Sequence, residues 1–294
     1  MSATAARAPG WVRAMPAVFV LIWSTGFIVA RYGMPYAPPL KFLAVRFALS
    51  LLCFGAWVAL ARVAWPRSRS QWGHLLVTGI LMQAGYLGGV WAAVREGMGS
   101  GLVALLVGIQ PVLTAVWMSF TGGRVSPRQW LGLVLGFAGL VLVVSRKFGQ
   151  GSEVSALTMG LAVMALLSIT AGTLYQKRFV APCDVRSASA VQMAAALLVT
   201  LPFALMETQG IEWNAHSMGA MAWSVLALSL GGSSLLYMLI QRGTATAVTS
   251  LLYLVPPCTA VMAWLLFAEP ITLVTLLGIG LTAAGVSLVV RSER

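Results

Sequence analysis

Acid is what this chain has least of. Its 294 residues include only 7 Asp and Glu together, and Asp184 is the single aspartate. The glutamates are Glu96, Glu153, Glu207, Glu212, Glu269 and Glu293, and each falls at the end of an apolar run or in a connection between runs. No pair of carboxylates is therefore available deep in the chain for general acid–base work. Histidine is almost as rare: His74 and His216 are the two, both near helix starts, where an interfacial position is expected rather than a proton relay. The three cysteines, Cys53, Cys183 and Cys258, are odd in number and scattered. That pattern gives neither a disulfide framework nor metal-ligand spacing, so no metal and no cofactor is expected. HExxH, GxSxG and phosphate-cradling glycine loops are absent as well. The serine-rich stretch 229–234 has no histidine or lysine at its depth to activate a nucleophile. An enzyme is not expected.

Charge as a whole is also scarce. Only 9% of residues are charged, against roughly 25% in soluble domains. Such a chain cannot clothe a water-facing surface, but its 59% hydrophobic content can face lipid. Ten apolar runs are long enough to cross a hydrocarbon core of about 30 Å, at roughly 20 residues each. They lie near 15–31, 41–62, 72–94, 98–119, 127–145, 156–176, 187–206, 217–240, 244–267 and 271–290. The connections are too short for a soluble domain. An all-α integral membrane protein with ten transmembrane helices is the expectation. The first run follows Arg7 and Arg13 as a signal sequence would, but no convincing cleavage site follows, and we read it as an uncleaved helix.

The net charge of +12 concerns topology rather than nucleic acid, and no nucleic-acid partner is expected. With the N-terminus inside, one side collects Arg7, Arg13, Arg62, Arg67, Arg69, Arg124, Arg128, Lys177, Arg178, Arg186, Arg242, Arg291 and Arg294. The other side holds only Arg31, Lys41, Arg95, Arg146 and Lys147. This bias predicts cytoplasmic N- and C-termini and residence in a bacterial inner (plasma) membrane.

Displaced by 146 residues, the chain falls on itself without a gap. Gly26 meets Gly172, Gly97 meets Gly243, Pro111 meets Pro257, Gly132 meets Gly278 and Gly139 meets Gly285. Leucine and valine coincide by chance between membrane helices, but glycines and a proline in one register do not. The chain thus reads as two repeats, 12–146 and 147–292, of five crossings each. Because five is odd, the copies enter the bilayer from opposite sides, related by an axis in the membrane plane. That symmetry lets a midplane site open to either face in turn.

Several segments carry a family resemblance: "IWSTGFIVARYG" (22–33), "PPLKFLAVRFALS" (38–50), "EGMGSGLVALLVGIQPVLTAV" (96–116), "SPRQWLGLVLGFAGLVLVV" (126–144) and "FAEPITLVTLLGIGLTAAGVSLVV" (267–290). In order and spacing they resemble the EamA-type branch of the drug/metabolite transporter superfamily, over about 15–290. One departure is visible. Such repeats commonly carry an acid after their fourth helix, which is Glu269 in the second copy but Gly123 in the first. The resemblance implies a transporter whose partners are the lipid bilayer and a small-molecule substrate, first an amino acid or related metabolite that is exported. A polyspecific drug exporter and a channel-like facilitator are the alternatives.

Polar and aromatic residues inside the runs are the candidates for a solute cavity. On the third run Gln83, Leu87 and Trp91 share a helical face with Tyr86 beside it, and Ser229, Ser233 and Tyr237 are their shifted partners. Trp23, Ser24 and Phe27 flank Gly26, and Ile169, Thr170 and Thr173 flank Gly172. Trp23 lies mid-run, where an indole N–H is awkward against lipid. Pro111 and Pro257 each remove a backbone bond and suggest hinges together with Gly26 and Gly172; Gln110 and Tyr253 are donors beside them. Arg46 is the one charge well inside a run, and it either reaches the interface or faces a cavity and attracts a carboxylate. Small residues at Gly132, Gly136, Gly278 and Thr282 predict close helix packing, within the chain or between two copies as a homodimer. The lack of a midplane carboxylate predicts transport without tight proton or sodium coupling. It also favours neutral or zwitterionic solutes over basic amphiphiles.

Overall fold

A computed structural model describes residues 10–98, 103, 106–122, 125–145, 155–267 and 273–291. Every regular element among the described residues is helical. In chain order these are α1 (Gly10–Gly33), α2 (Pro39–Leu60), α3 (Arg69–Arg95), α4 (Gln110–Phe120), α5 (Pro127–Ser145), α6 (Ala156–Phe179), α7 (Val185–Met206) and α8 (Ala215–Arg242). Next come α9, which passes from Ala245–Ser250 through a tighter turn at Leu251–Leu254 into Val255–Phe267, and α10 (Leu273–Arg291).

Among the described residues, 7 helices are long and apolar enough to cross a membrane. They correspond to the expected runs 1, 2, 3, 6, 7, 8 and 9. The expected run near 98–119 includes residues outside the described set, and its described helix is Gln110–Phe120. The run near 127–145 is helical over Pro127–Ser145, and that near 271–290 over Leu273–Arg291. Gly123 and Glu269 also lie outside the described residues.

Helix ends follow local chemistry. Pro39 opens α2 where its missing N–H costs nothing. Ser68, Asp184 and Asn214 cap α3, α7 and α8 with side-chain oxygens, and Ser155 forms a reciprocal capping box with Thr158 on α6. The Arg186 guanidinium holds the Asp184 carboxyl below the usual carboxylate range, which keeps that cap ionised. After α3, Gly97 takes φ of +96° so that Met98 N–H can reach the Ala93 carbonyl at 2.9 Å, an arrangement that closes the helix.

Contacts between ends fix how the helices run. At the end where α1 starts, Lys177 of α6 donates to the Ile240 carbonyl of α8 at 2.9 Å, and Gln71 of α3 donates to Ala181 O at 3.0 Å. Arg242 of α8 reaches the Met15 sulfur there. At the opposite end, Glu212 N–H bonds Tyr36 O at 2.8 Å. So α6 ends where α1 begins, and the two run in opposite directions.

The small-residue faces pack within one chain. A Cβ added at Gly132 would lie 2.6 Å from the Gly285 carbonyl, and one at Gly285 would lie 2.5 Å from the Gly132 carbonyl. At Gly139 a Cβ would run into the Thr282 hydroxyl, and at Gly136 into the Tyr253 ring. Backbone-to-backbone approach of α5 and α10 is what glycine provides here. Gly172 serves a similar purpose on α6, where a Cβ would meet the Met82 side chain.

Two long helices are not regular. α3 loosens into a π-helical stretch at Ile80–Gly85, and α8 does so at Ser224–Ser233. These stretches occupy corresponding places under the 146-residue displacement. A wider turn rotates whatever follows it relative to a count of 3.6 residues per turn, and such stretches concentrate at functional places.

Candidate functional site

Trp23 of α1 and Tyr86 of α3 hold their rings parallel, with centroids 6.2 Å apart and planes within 5°. Together with Phe27 they stand between two neighbouring cavities. The first lies between α1, α2, α3 and α8 with about 490 Å³ of empty space, part of it open to the surroundings, and its walls stand close together. Its lining includes Gly26, Arg46, Leu87, Val90, Trp91 and Leu228 beside the three aromatic residues. The second, with about 260 Å³ of empty space, adds Val107, Gly108, Leu252 and Val255. Trp91 is fixed from behind by Phe42, ring centroids 4.9 Å apart.

Arg46 is 3% exposed, so its side chain does not reach an interface. It turns into the first cavity, where Nε donates to Ser229 Oγ at 3.0 Å. Among the described residues no acceptor is found for its two Nη groups, and no acidic side chain lines either cavity. A guanidinium presents five donors in a rigid fork. Here the fork is fixed at one nitrogen and otherwise aimed at space between aromatic walls.

Most of the smaller polar candidates spend their hydrogen bonds on the helices. Ser24 donates to Val20 O at 2.6 Å and lies 3.3 Å from Val255 O. Thr170 and Thr173 donate one turn back, to Leu166 O at 2.7 Å and Ile169 O at 2.8 Å. Gln110 bridges α4 to α6 by donating to Thr173 Oγ1 at 3.2 Å. Gln83 and Ser233 face one another at 3.4 Å, and Ser233 lies 3.3 Å from Leu228 O. Tyr237 sits toward the α1-start end, its hydroxyl 3.0 Å from the Cys183 sulfur. Tyr253 is buried against Gly136, and its hydroxyl has no partner among the described residues. None of these residues lines the two cavities. Gln192, which the displacement pairs with Arg46, is likewise buried and donates to Thr78 at 2.9 Å and Gln176 at 3.1 Å.

Pro111 and Pro257 each stand just after an interruption in their helix. Gly108 and Ile109 form a turn ahead of Pro111, which occupies the first turn of α4, and the tight Leu251–Leu254 turn precedes Pro257 in α9. Both interruptions border the second cavity. Broken helices are tolerated at membrane depth where they line a cavity.

The end away from the α1 start is tied by groups that sequence reasoning did not single out. Pro38 and Pro39 have no N–H, so the first free donors of α2 are Leu40 and Lys41. Both bond the Glu207 carboxylate that follows α7, at 3.0 and 2.7 Å. Lys41 Nζ and Arg95 Nη2 converge on Gln209, at 2.6 and 2.7 Å. A carboxylate on a helix N-terminus meets both the orphan donors and the helix dipole. Glu207→Ala should weaken this clasp by about 1–2 kcal/mol. Amide exchange at Leu40 and Lys41 would then speed up by roughly tenfold; unchanged exchange would remove the clasp role. The opposite end carries a wider opening of about 1470 Å³ of empty space, bordered by Trp117, Thr121, Lys177, Arg178 and Thr244.

This geometry coincides with a clear kinship. The EamA-like transporter family matches residues 14–145 and again 156–291. The chain belongs to this family. As an EamA-like transporter it is a multi-pass membrane protein. Its relatives include "Uncharacterized transporter YvbV" of Bacillus subtilis, 27% identical over 278 residues that cover 93% of this chain and 89% of that protein. Another is "Probable amino-acid metabolite efflux pump" of Escherichia coli K12, 24% identical, covering 90% of each. A solved crystal structure shares the fold with a TM-score of 0.79 at 16% identity, over 95% of this chain and 98% of that one.

Proposed function

We propose that this EamA-like transporter exports small organic solutes, first amino acids and related metabolites, across a bacterial inner membrane by alternating access. The observation that carries the reading is the cavity around Trp23, Arg46 and Tyr86. It is narrow and lies between helices of both halves, and separate contacts join those halves toward each end. Carriers built from two related halves bind their solute in such a place between the halves. The chain works as ten crossings in two inverted repeats, 12–146 and 147–292. The twofold family match, the opposite run of α1 and α6, and the paired π-helical stretches all support that duplication. The distribution of positive residues supports cytoplasmic N- and C-termini. Export of amino-acid metabolites is supported by the name of one relative.

Pro111, Pro257, Gly26 and Gly172 mark where the helices flex. Without an acid in the cavity the carrier runs down its solute gradient or by exchange. In proteoliposomes, labelled L-phenylalanine should enter with saturable kinetics. Unlabelled phenylalanine on the far side should accelerate it, and an imposed proton gradient should not drive accumulation. Uptake that never saturates would make the protein a channel, and proton-driven accumulation would end the uncoupled reading.

A further inference from the structure

The carrier reading leaves open which part of a solute the cavity holds. Its polar features are unequal. One full positive charge, Arg46, faces the first cavity with its Nη donors unmatched among the described residues. No acidic side chain among the described residues accompanies it there. The second cavity shares the three aromatic residues and adds Val107, Gly108, Leu252 and Val255, none of them charged. The remaining lining is aromatic or aliphatic, led by Trp23, Phe27, Tyr86 and Trp91.

From this we propose that the cavity selects organic monocarboxylates with a flat apolar body, recognised at the carboxylate by Arg46, and that an α-amino group adds little. A carboxylate fits the guanidinium fork through two parallel N–H···O bonds and neutralises a charge that is costly to bury alone. Ser229 takes Nε and leaves the Nη side of the fork for the ligand. The parallel Trp23 and Tyr86 rings give the apolar body a face to stack on. An ammonium group would meet a like charge in the first cavity and, among the described residues, no acidic side chain in either. Amines are therefore rejected, amino acids are accepted, and their deaminated counterparts are accepted at least as well.

This inference rests on the cavity assignment made for the carrier, and binding separates it from transport. The full chain in lipid nanodiscs at neutral pH would be titrated calorimetrically with 3-phenylpropionate, L-phenylalanine and 2-phenylethylamine. The acid should bind at least as tightly as the amino acid, and the amine at least tenfold more weakly. Arg46→Gln should weaken acid binding tenfold or more. Arg46→Lys should restore part of it, since the charge returns without the fork. Ser229→Ala, which keeps the charge and frees Nε, should weaken the acid by a smaller factor and serves if Arg46→Gln does not fold. Equal or tighter binding of the amine, acid binding indifferent to Arg46, or no binding of any of the three would overturn the proposal. Arg46-dependent acid binding without saturable flux in liposomes would instead strike the carrier reading and leave this one standing.

Discussion

Leucine at position 139 is expected to abolish the folded protein, while leucine at position 280 is expected to leave it intact. Gly139 lies on α5 and Gly280 on α10, and their surroundings differ. A Cβ at Gly139 would lie 2.6 Å from the Gly278 carbonyl and collide with Thr282, whereas one at Gly280 meets nothing within 4 Å. The obstacles at Gly139 include backbone, so no rotamer change relieves them and the two helices must part. Extra atoms in a packed core cost about 1–3 kcal/mol where the surroundings can shift. Here the Gly132–Gly285 contact on the same face would open as well. Size-exclusion profiles and thermal unfolding in detergent measure the outcome. Equal profiles for the two variants would show that close approach of α5 and α10 is not needed for folding.

Trp23→Ala carries the second large effect. The indole supplies one face of the Trp23–Tyr86 pair, separates the two cavities, and leans on Phe19 with centroids 5.2 Å apart. Removing it joins the cavities and deletes the stacking surface. A lost aromatic contact is worth about 0.5–1.5 kcal/mol beyond its buried area. Together with that area, affinity for an aromatic solute should fall by roughly tenfold to a hundredfold. An aliphatic solute such as leucine should lose much less, and Trp23→Phe should recover part of the aromatic affinity. Equal losses for both solute types would assign Trp23 to packing alone.

The helices were legible in sequence because apolar length and glycine register are properties of single segments. Trp23, Phe27, Tyr86 and Trp91, all candidates by sequence, line one cavity together, and Trp23 stood out because a bulky ring mid-helix is difficult to place elsewhere. The hydroxyl and amide residues were not legible. Ser24, Thr170 and Thr173 look like cavity donors until one asks whether the carbonyl one turn back takes their proton, and it does. The stripe Gln83, Leu87 and Trp91 assumed one helical pitch throughout. Gln83 lies inside the π-helical stretch, so it turns away from the cavity that Leu87 and Trp91 line. The same widening on α8 separates Ser229, which meets Arg46, from Tyr237, which meets Cys183. Glu207 joins α2 across 167 residues of chain, and no local pattern announces such a partner.

The most direct test is a single cysteine at Val90, a buried residue of the cavity wall, in a chain whose Cys53, Cys183 and Cys258 are replaced by alanine. Oriented membrane vesicles would receive a membrane-impermeant thiol reagent from one face or the other. The account predicts labelling from either face, slowed by solute, with Glu207→Ala raising the rate from the α1–α2 connection side and lowering it from the other. Labelling confined to one face, whatever the solute or the state of Glu207, would contradict a cavity that opens to both sides in turn.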